Sequence, residues 1–417
     1  MQHFFKKTLP AALALALCAG AVQADDASGT YFGYFRAGVG SNSEGGRQAC
    51  YGLQGVPKYR FGNECDLYGE FGYTKEVAKS SNGSSFVATV MASVYSPTSD
   101  VGANNHVDLA QMMIEAKNIP FMNGAIPWIG KRYYDRPDIH ELDFKYLQGD
   151  GVGGGITDIK IGPGKFSYGL FRNDTDKSVA ATRHSFIYEG IPVNPGGALK
   201  LDATIIRGDH GDNLSITNPK IANGWSASVL HLQADKTNGI DNTLAFQYAS
   251  GSGIKIGGTD TTATSDIKRT RIFDHLVYQV TPEFSSGVIA LWQRDKADAG
   301  DKTWTSFGVR PVYALNENLR LVMDLGHDNV KPSDGSGNQQ LTKVTFAPTI
   351  AMGKDYYSRP ELRAFVTYAK WNKAAQNAAD RAVAANPTAD ADALSSVGVF
   401  GGKTNGTSIG LQVEAWW

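Results

Sequence analysis

The sequence has little of what marks a helical bundle, a nucleic-acid-binding protein or a disulfide scaffold. Only 3 cysteines occur in 417 residues, too few for a disulfide framework. No excess of one charge is present either. With 40 Lys and Arg against 41 Asp and Glu and no basic block, the chain lacks the positive field that holds phosphate backbones, so no nucleic-acid partner is expected. Segments with helical periodicity are scarce, and after residue 24 no apolar run reaches the roughly 20 residues a membrane-crossing helix needs. Catalytic signatures are missing as well: there is no H-E-x-x-H, no G-x-S-x-G and no glycine-rich phosphate loop opening a helix. An enzyme is therefore not expected, although Asp138, His140, Glu141 and Asp143 are residue types able to form an acid/base or metal cluster. No cofactor or metal is expected.

The chain is rich instead in glycine and aromatics, with 47 Gly, 18 Tyr, 19 Phe and 7 Trp, and in period-two alternation. Both point to an all-β protein. The first alternating segment puts Tyr31, Gly33, Phe35, Ala37 and Val39 on one side and Phe32, Tyr34 and Arg36 on the other. A second splits Leu67, Gly69, Phe71 and Tyr73 from Tyr68 and Glu70. At the end of the chain Ile409, Leu411, Val413, Ala415 and Trp417 oppose Gly410, Gln412, Glu414 and Trp416. Further strands are expected within residues 86–94, 272–280, 288–292, 319–325 and 362–368, separated by Gly/Asn/Asp/Ser/Lys turns, with a short helix over 374–385 in a surface loop. Oily faces that mix small and aromatic residues, opposite faces that carry aromatics beside charges, and a final alternating strand ending on Trp417 favour a membrane barrel over a secreted sandwich.

Export fits this. Met1 to Ala24 has the layout of a cleaved secretory signal: Lys6 and Lys7, an apolar stretch from Leu9 to Ala19, then Val22-Gln23-Ala24. The expected division is residues 1–24 as signal peptide and 25–417 as one barrel domain. Leu17 before Cys18 does not suit a lipidation site. Cys50 and Cys65 flank a short polar segment and are expected to be bonded in an oxidising compartment; two buried free thiols are the alternative, and a zinc site would lack ligands.

The inward pairs Tyr34/Arg36 and Tyr68/Glu70 offer aromatic planes for the C–H faces of sugar rings and charged groups for their hydroxyls; cross-strand contacts beside solvated charges are the plainer alternative. Residues 128–146 read W-I-G-K-R-Y-Y-D-R-P-D-I-H-E-L-D-F-K-Y, dense in charges of both signs. That composition suits a polar constriction or, more plainly, a salt-bridged loop.

Several stretches resemble the maltoporins, outer-membrane carbohydrate porins of Gram-negative bacteria. These are G-Y-F-R at 33–36, K-Y-R-F-G-N-E-C at 58–65, G-K-R-Y-Y-D-R-P-D-I-H at 130–140, N-P-G-G at 194–197, S-R-P at 358–360, Y-A-K-W at 368–371 and the final Trp416-Trp417. The resemblance implies an 18-stranded antiparallel transmembrane β-barrel with long extracellular loops, one folded into the lumen as a constriction. It also implies a homotrimer in outer-membrane lipid that passes maltose and maltodextrins down a gradient. Tyr34, Tyr68, Tyr357 and Trp416 then resemble aromatic-slide positions. Arg36, Arg60, Glu70, Arg136, Asp138, His140, Asp143 and Lys145 resemble ionic-track or constriction positions, and Cys50 and Cys65 the disulfide of the first extracellular loop. Three positions depart from the family pattern. Ile240 stands where a slide aromatic is expected, Ala110 where an arginine is, and Lys145 where an aromatic narrows the pore. A long lysine there can hydrogen-bond sugars or favour anionic ones. The rivals are a porin of the same fold for other oligosaccharides or glycosides, and a soluble secreted β-sandwich lectin or glycosidase.

Overall fold

A computed structural model describes residues 29–97, 106–176, 179–210, 221–235, 239–386 and 392–417; the expected signal segment 1–24 lies outside the described residues. The strands are β1 (Thr30–Asn42), β2 (Leu67–Lys79), β3 (Ser85–Ser96), β4 (His106–Lys117), β5 (Ile126–Tyr133), β6 (Asp138–Ile139) and β7 (Phe144–Lys145). Then follow β8 (Asp150–Ile161), β9 (Gly164–Asp176), β10 (Val179–Asn194), β11 (Gly197–His210), β12 (Gly224–Asp235), β13 (Ile240–Gly251) and β14 (Lys268–Gln279). The last are β15 (Phe284–Lys296), β16 (Lys302–Ala314), β17 (Leu319–Pro332), β18 (Gln339–Ala351), β19 (Glu361–Trp371) and β20 (Asn405–Trp416), with a helix α1 (Lys373–Ala385) before β20. Except for the small β6–β7 pair, they form one 18-stranded sheet.

Each long strand pairs antiparallel with the next, β5 with β8, and β20 closes on β1 with Tyr34 opposite Trp416 and Asn42 opposite Ser408. Closure leaves no unpaired edge, which is what allows strands to cross a membrane. Among the described residues no helix is long and apolar enough to do so. On the outer face Val39, Leu411, Ile409, Leu362, Ile350 and Phe307 are exposed, while the alternate residues of the same strands point inward. Near the end where β1 begins and β20 stops, Trp417 packs against Tyr31, Phe35 and Phe71, with ring centroids 5.5, 6.2 and 6.1 Å away, as one patch of an aromatic girdle. The parity read along β1, β2 and β20 is therefore the barrel's own.

The lumen is filled on one side by two segments from the opposite end. The first runs between β1 and β2 and is closed by the Cys50–Cys65 disulfide. It lays Tyr59 over paired Gly308 and Gly326, where an added Cβ would come within 2.1 Å of the ring. Only glycine leaves that space. The phenol of Tyr59 shares a hydrogen bond with Ser306 (2.8 Å), and the Phe61 carbonyl accepts from Lys343 (2.7 Å) and Thr345 (3.0 Å). The second segment, residues 134–149, carries β6 and β7 and crosses to β13–β16, burying Ile139, Leu142 and Leu147 completely. Gln247 donates to the Tyr146 carbonyl (2.9 Å), and Phe144 meets Phe273 and Trp304 edge-on.

Candidate functional site

Three inward aromatics lie on three neighbouring strands. Tyr34 on β1 stacks against Trp416 on β20 at 6.5 Å with an 18° tilt, and faces Tyr68 on β2 at 6.1 Å. Their adjacency follows from register: Tyr34 pairs with Trp416, and Arg36, two residues on, pairs with Tyr68. The same row continues past them. Tyr68 pairs with Tyr95 on β3, Tyr95 with His106 on β4, and the last two rings stack at 6.4 Å. Tyr95 is 38% exposed and extends an aromatic band along one wall; it is not among the expected site residues, although its alternation with outward Val94 and Ala92 is a usable signal.

Tyr357 sits apart. It lies between β18 and β19, edge-on to Tyr356 at 5.0 Å, without ring contact to the other three among the described residues. Ile240 begins β13, on the far side of the barrel from the band. Ala110 occupies an irregularity of the β3–β4 ladder, between Gln111 and Leu109, and is buried.

Charged groups flank the band. Arg36 binds Asp66 (2.7 Å) and reaches Glu64 (3.4 Å), and its guanidinium lies 5.5 Å from the Tyr68 ring. Arg60, from the first inserted segment, donates to Glu64 (2.7 Å), to Glu414 (3.0 Å) and to the Tyr34 hydroxyl, and lies 3.7 Å from Asp143. Burial would raise the Glu64 carboxyl, but Arg60 and Arg36 outweigh it and hold the group down at about 2. Glu70 accepts hydrogen bonds from Tyr68 and from Tyr133 (3.0 Å) and faces Arg136 at 3.9 Å, while Arg136 stacks on Tyr133 at 4.1 Å.

Glu414 is not among the expected site residues, yet it is the hub. It is fully buried and receives Arg60, Arg359, the Tyr34 hydroxyl and His140. Arg359 also lies 4.5 Å over Trp416. Arg310 can only donate, so its 3.0 Å contact makes His140 Nδ1 an acceptor and leaves the proton on Nε2, which donates to Glu414 at 3.0 Å. The imidazole is held neutral, its pKa lowered by burial against the opposing pull of Glu414.

The four residues able to form an acid/base or metal cluster are drawn to different partners. His140 turns to Glu414 and Arg310; Glu141 binds His275 (3.0 Å) and the Tyr356 hydroxyl; Asp143 faces Arg60; Asp138 is exposed. Burial would raise Glu141, but His275 and Arg310 hold it far below the usual carboxylate range. Among the described residues no cluster is arranged to hold a metal. Lys145 is half-buried beside Arg136, and burial followed by that cation lowers its pKa. The arrangement sets partly exposed aromatic rings beside charged groups of both signs on one wall of the lumen.

A family model described as LamB porin matches residues 30–417. Among solved structures, the outer membrane protein OpdK from Pseudomonas aeruginosa is similar at 10% identity and a TM-score of 0.51, covering 94% of this chain and 98% of that one. OccK5 from the same organism is similar at 10% identity and a TM-score of 0.49, covering 93% and 98%. An anion-selective porin from Comamonas acidovorans is similar at 10% and 0.46, covering 93% and 100%. At such identity the OpdK likeness bears on the fold alone.

Proposed function

We propose, from the premise that this chain belongs to the LamB porin family, that it is an outer-membrane channel for passive, saturable diffusion of maltose and maltodextrins. The carrying observation is the band of Trp416, Tyr34 and Tyr68 on neighbouring strands with Arg36, Arg60 and Glu70 beside it. Pyranose faces stack on the rings while hydroxyls exchange hydrogen bonds with the charges from step to step. Each contact is weak and repeated, which is what conduction requires, because a tightly held solute blocks its own exit. Tyr357 would offer a further stacking surface near the end where the chain terminates. Residues 134–149, with Arg136, Asp138, His140, Asp143 and Lys145, would form the constriction. Arg136 and Asp143 meet opposite charges on Glu70 and Arg60, which limits the bulk attraction of ions there and leaves Lys145 as the cation without an ion-pair partner.

The long connections then face the exterior, residues 1–24 are removed on export, and three copies assemble. Reconstitution in a planar bilayer tests this: maltotriose should reduce the ion current in a saturable way. A current unaffected by maltodextrins contradicts a maltose-type channel and leaves porins for other glycosides. Recovery as a soluble monomer in plain buffer contradicts the membrane assignment.

A further inference from the structure

Between the first inserted segment, residues 134–149 and the wall of β14–β16 lies a cavity of about 340 Å³, within the range of ligand pockets. Arg136, Lys145, Arg269 and Arg271 line it, with Asp143 and Asp150 as the lining carboxylates. Most of these charges are already engaged. Arg269 holds Asp295 in a two-point pair at 2.7 and 2.8 Å, Arg136 faces Glu70, and Asp143 faces Arg60.

Two cations remain. Arg271, only 5% exposed, donates to the neutral amide oxygens of Gln293 (2.8 Å) and Gln247 (3.0 Å) and lies 4.6 Å over Phe144. The Lys145 ammonium makes no ion pair or hydrogen bond among the described residues, though Asp138, Asp143 and Glu70 are near enough for it to feel. A buried guanidinium held by amides and an unpaired ammonium sharing one cavity cost free energy until an anion enters. Asp150 offsets part of their field, so the pair matches a single negative charge better than a doubly charged phosphate.

We propose that this cavity is a subsite for a saccharide bearing one carboxylate, its oxygens held between Lys145 and Arg271 and its ring on the Phe144–Trp304 side. This rests on the carbohydrate-channel proposal and extends its substrate class to acidic sugars.

The test compares current block by maltotriose with block by maltotrionate, the same trisaccharide oxidised at its reducing end to a carboxylate. At 0.1 M KCl the acidic sugar should half-saturate at about tenfold lower concentration, the equivalent of one charge-assisted contact. Screening should shrink the difference at 1 M. Lys145→Met and Arg271→Gln should each bring the two sugars to within about twofold, and Lys145→Arg should retain the preference. If Arg271→Gln fails to fold, Lys145→Met alone decides. Equal block by both sugars in the unaltered protein, or a ratio unchanged in Lys145→Met, overturns the acidic subsite while leaving the channel standing. No block by either sugar overturns both.

Discussion

Across β13–β19 the inward side chains lie largely under the two inserted segments, whereas from β20 across β1 to β3 the inward aromatic rings meet those segments through single side chains such as Arg60 and Arg136 and keep partial exposure. On the covered side Arg310, Asp324 and Lys343 form one ladder, with pairs at 2.7 and 3.1 Å, and Arg320, Glu361 and Arg363 form another, all almost wholly buried. On the open side Tyr68, Tyr34 and Trp416 keep partial exposure and Tyr95 still more. One polar inner face thus serves two ends. Where its charges pair with one another and with a loop they anchor a plug; where rings alternate with charges they form the surface proposed for the solute. Glu414, at the boundary, ties the plug to the aromatic wall through Arg60, His140 and Tyr34.

The largest expected effect is on the covered side. Glu141→Ala removes the hydrogen-bond partner of both His275 and Tyr356 and leaves two buried polar groups unpaired, so it should destabilise the protein by about 1–3 kcal/mol for each. Thermal unfolding in detergent would show it, and single-channel conductance should rise as residues 134–149 lose their anchor. Unchanged conductance and stability would break the distinction between the two sides. Reduction of Cys50–Cys65 should follow, at up to about 3 kcal/mol from loop closure, read as earlier unfolding with dithiothreitol present.

Gly308→Val tests the covered side more gently. A Cβ there meets the Tyr59 ring, so about 1–3 kcal/mol of overpacking is expected, again by thermal unfolding, with no change at equivalent outward positions such as Phe307→Val beyond lost lipid contact. On the open side the order of effects reverses. Tyr34→Ala, Tyr68→Ala and Trp416→Ala should each weaken maltotriose block about fivefold, near 1 kcal/mol of stacking, with smaller losses of stability than Glu141→Ala. Tyr95→Ala should weaken it least, by about twofold, because that ring stands at the end of the band.

Alternation made β1, β2 and β20 legible, and with them the inward parity of Tyr34, Arg36, Tyr68, Glu70 and Trp416. The helix over 374–385 was legible too, and the structure starts it one residue earlier, with the Asn372 side chain accepting from the Ala375 N–H. β8 was not read, because Gly151, Gly153, Gly154 and Gly155 carry no side chains to alternate. At Gly153 and Gly155 a Cβ would lie 2.1 Å from the carbonyl oxygens of Leu170 and Tyr168 on β9, so tight strand packing removed the signal. The charge density of 128–146 marked a special segment, but its anchors could not be paired by spacing. His140 meets a carboxylate 274 residues away and Glu141 a histidine 134 residues away. Only the folding of residues 134–149 into the closed barrel brings them together. Lys145 stood out by itself, while Arg271 gains meaning from the cavity the two share.

The measurement closest to the central claim is a structure of the channel with maltotriose bound. Sugar rings should lie against Tyr68, Tyr34 and Trp416, with hydroxyls toward Arg36, Arg60 or Glu70. Sugar seated only on the outer surface, or an aromatic wall left bare at saturating concentration, would contradict the division of the lumen into an anchored plug and a conducting face.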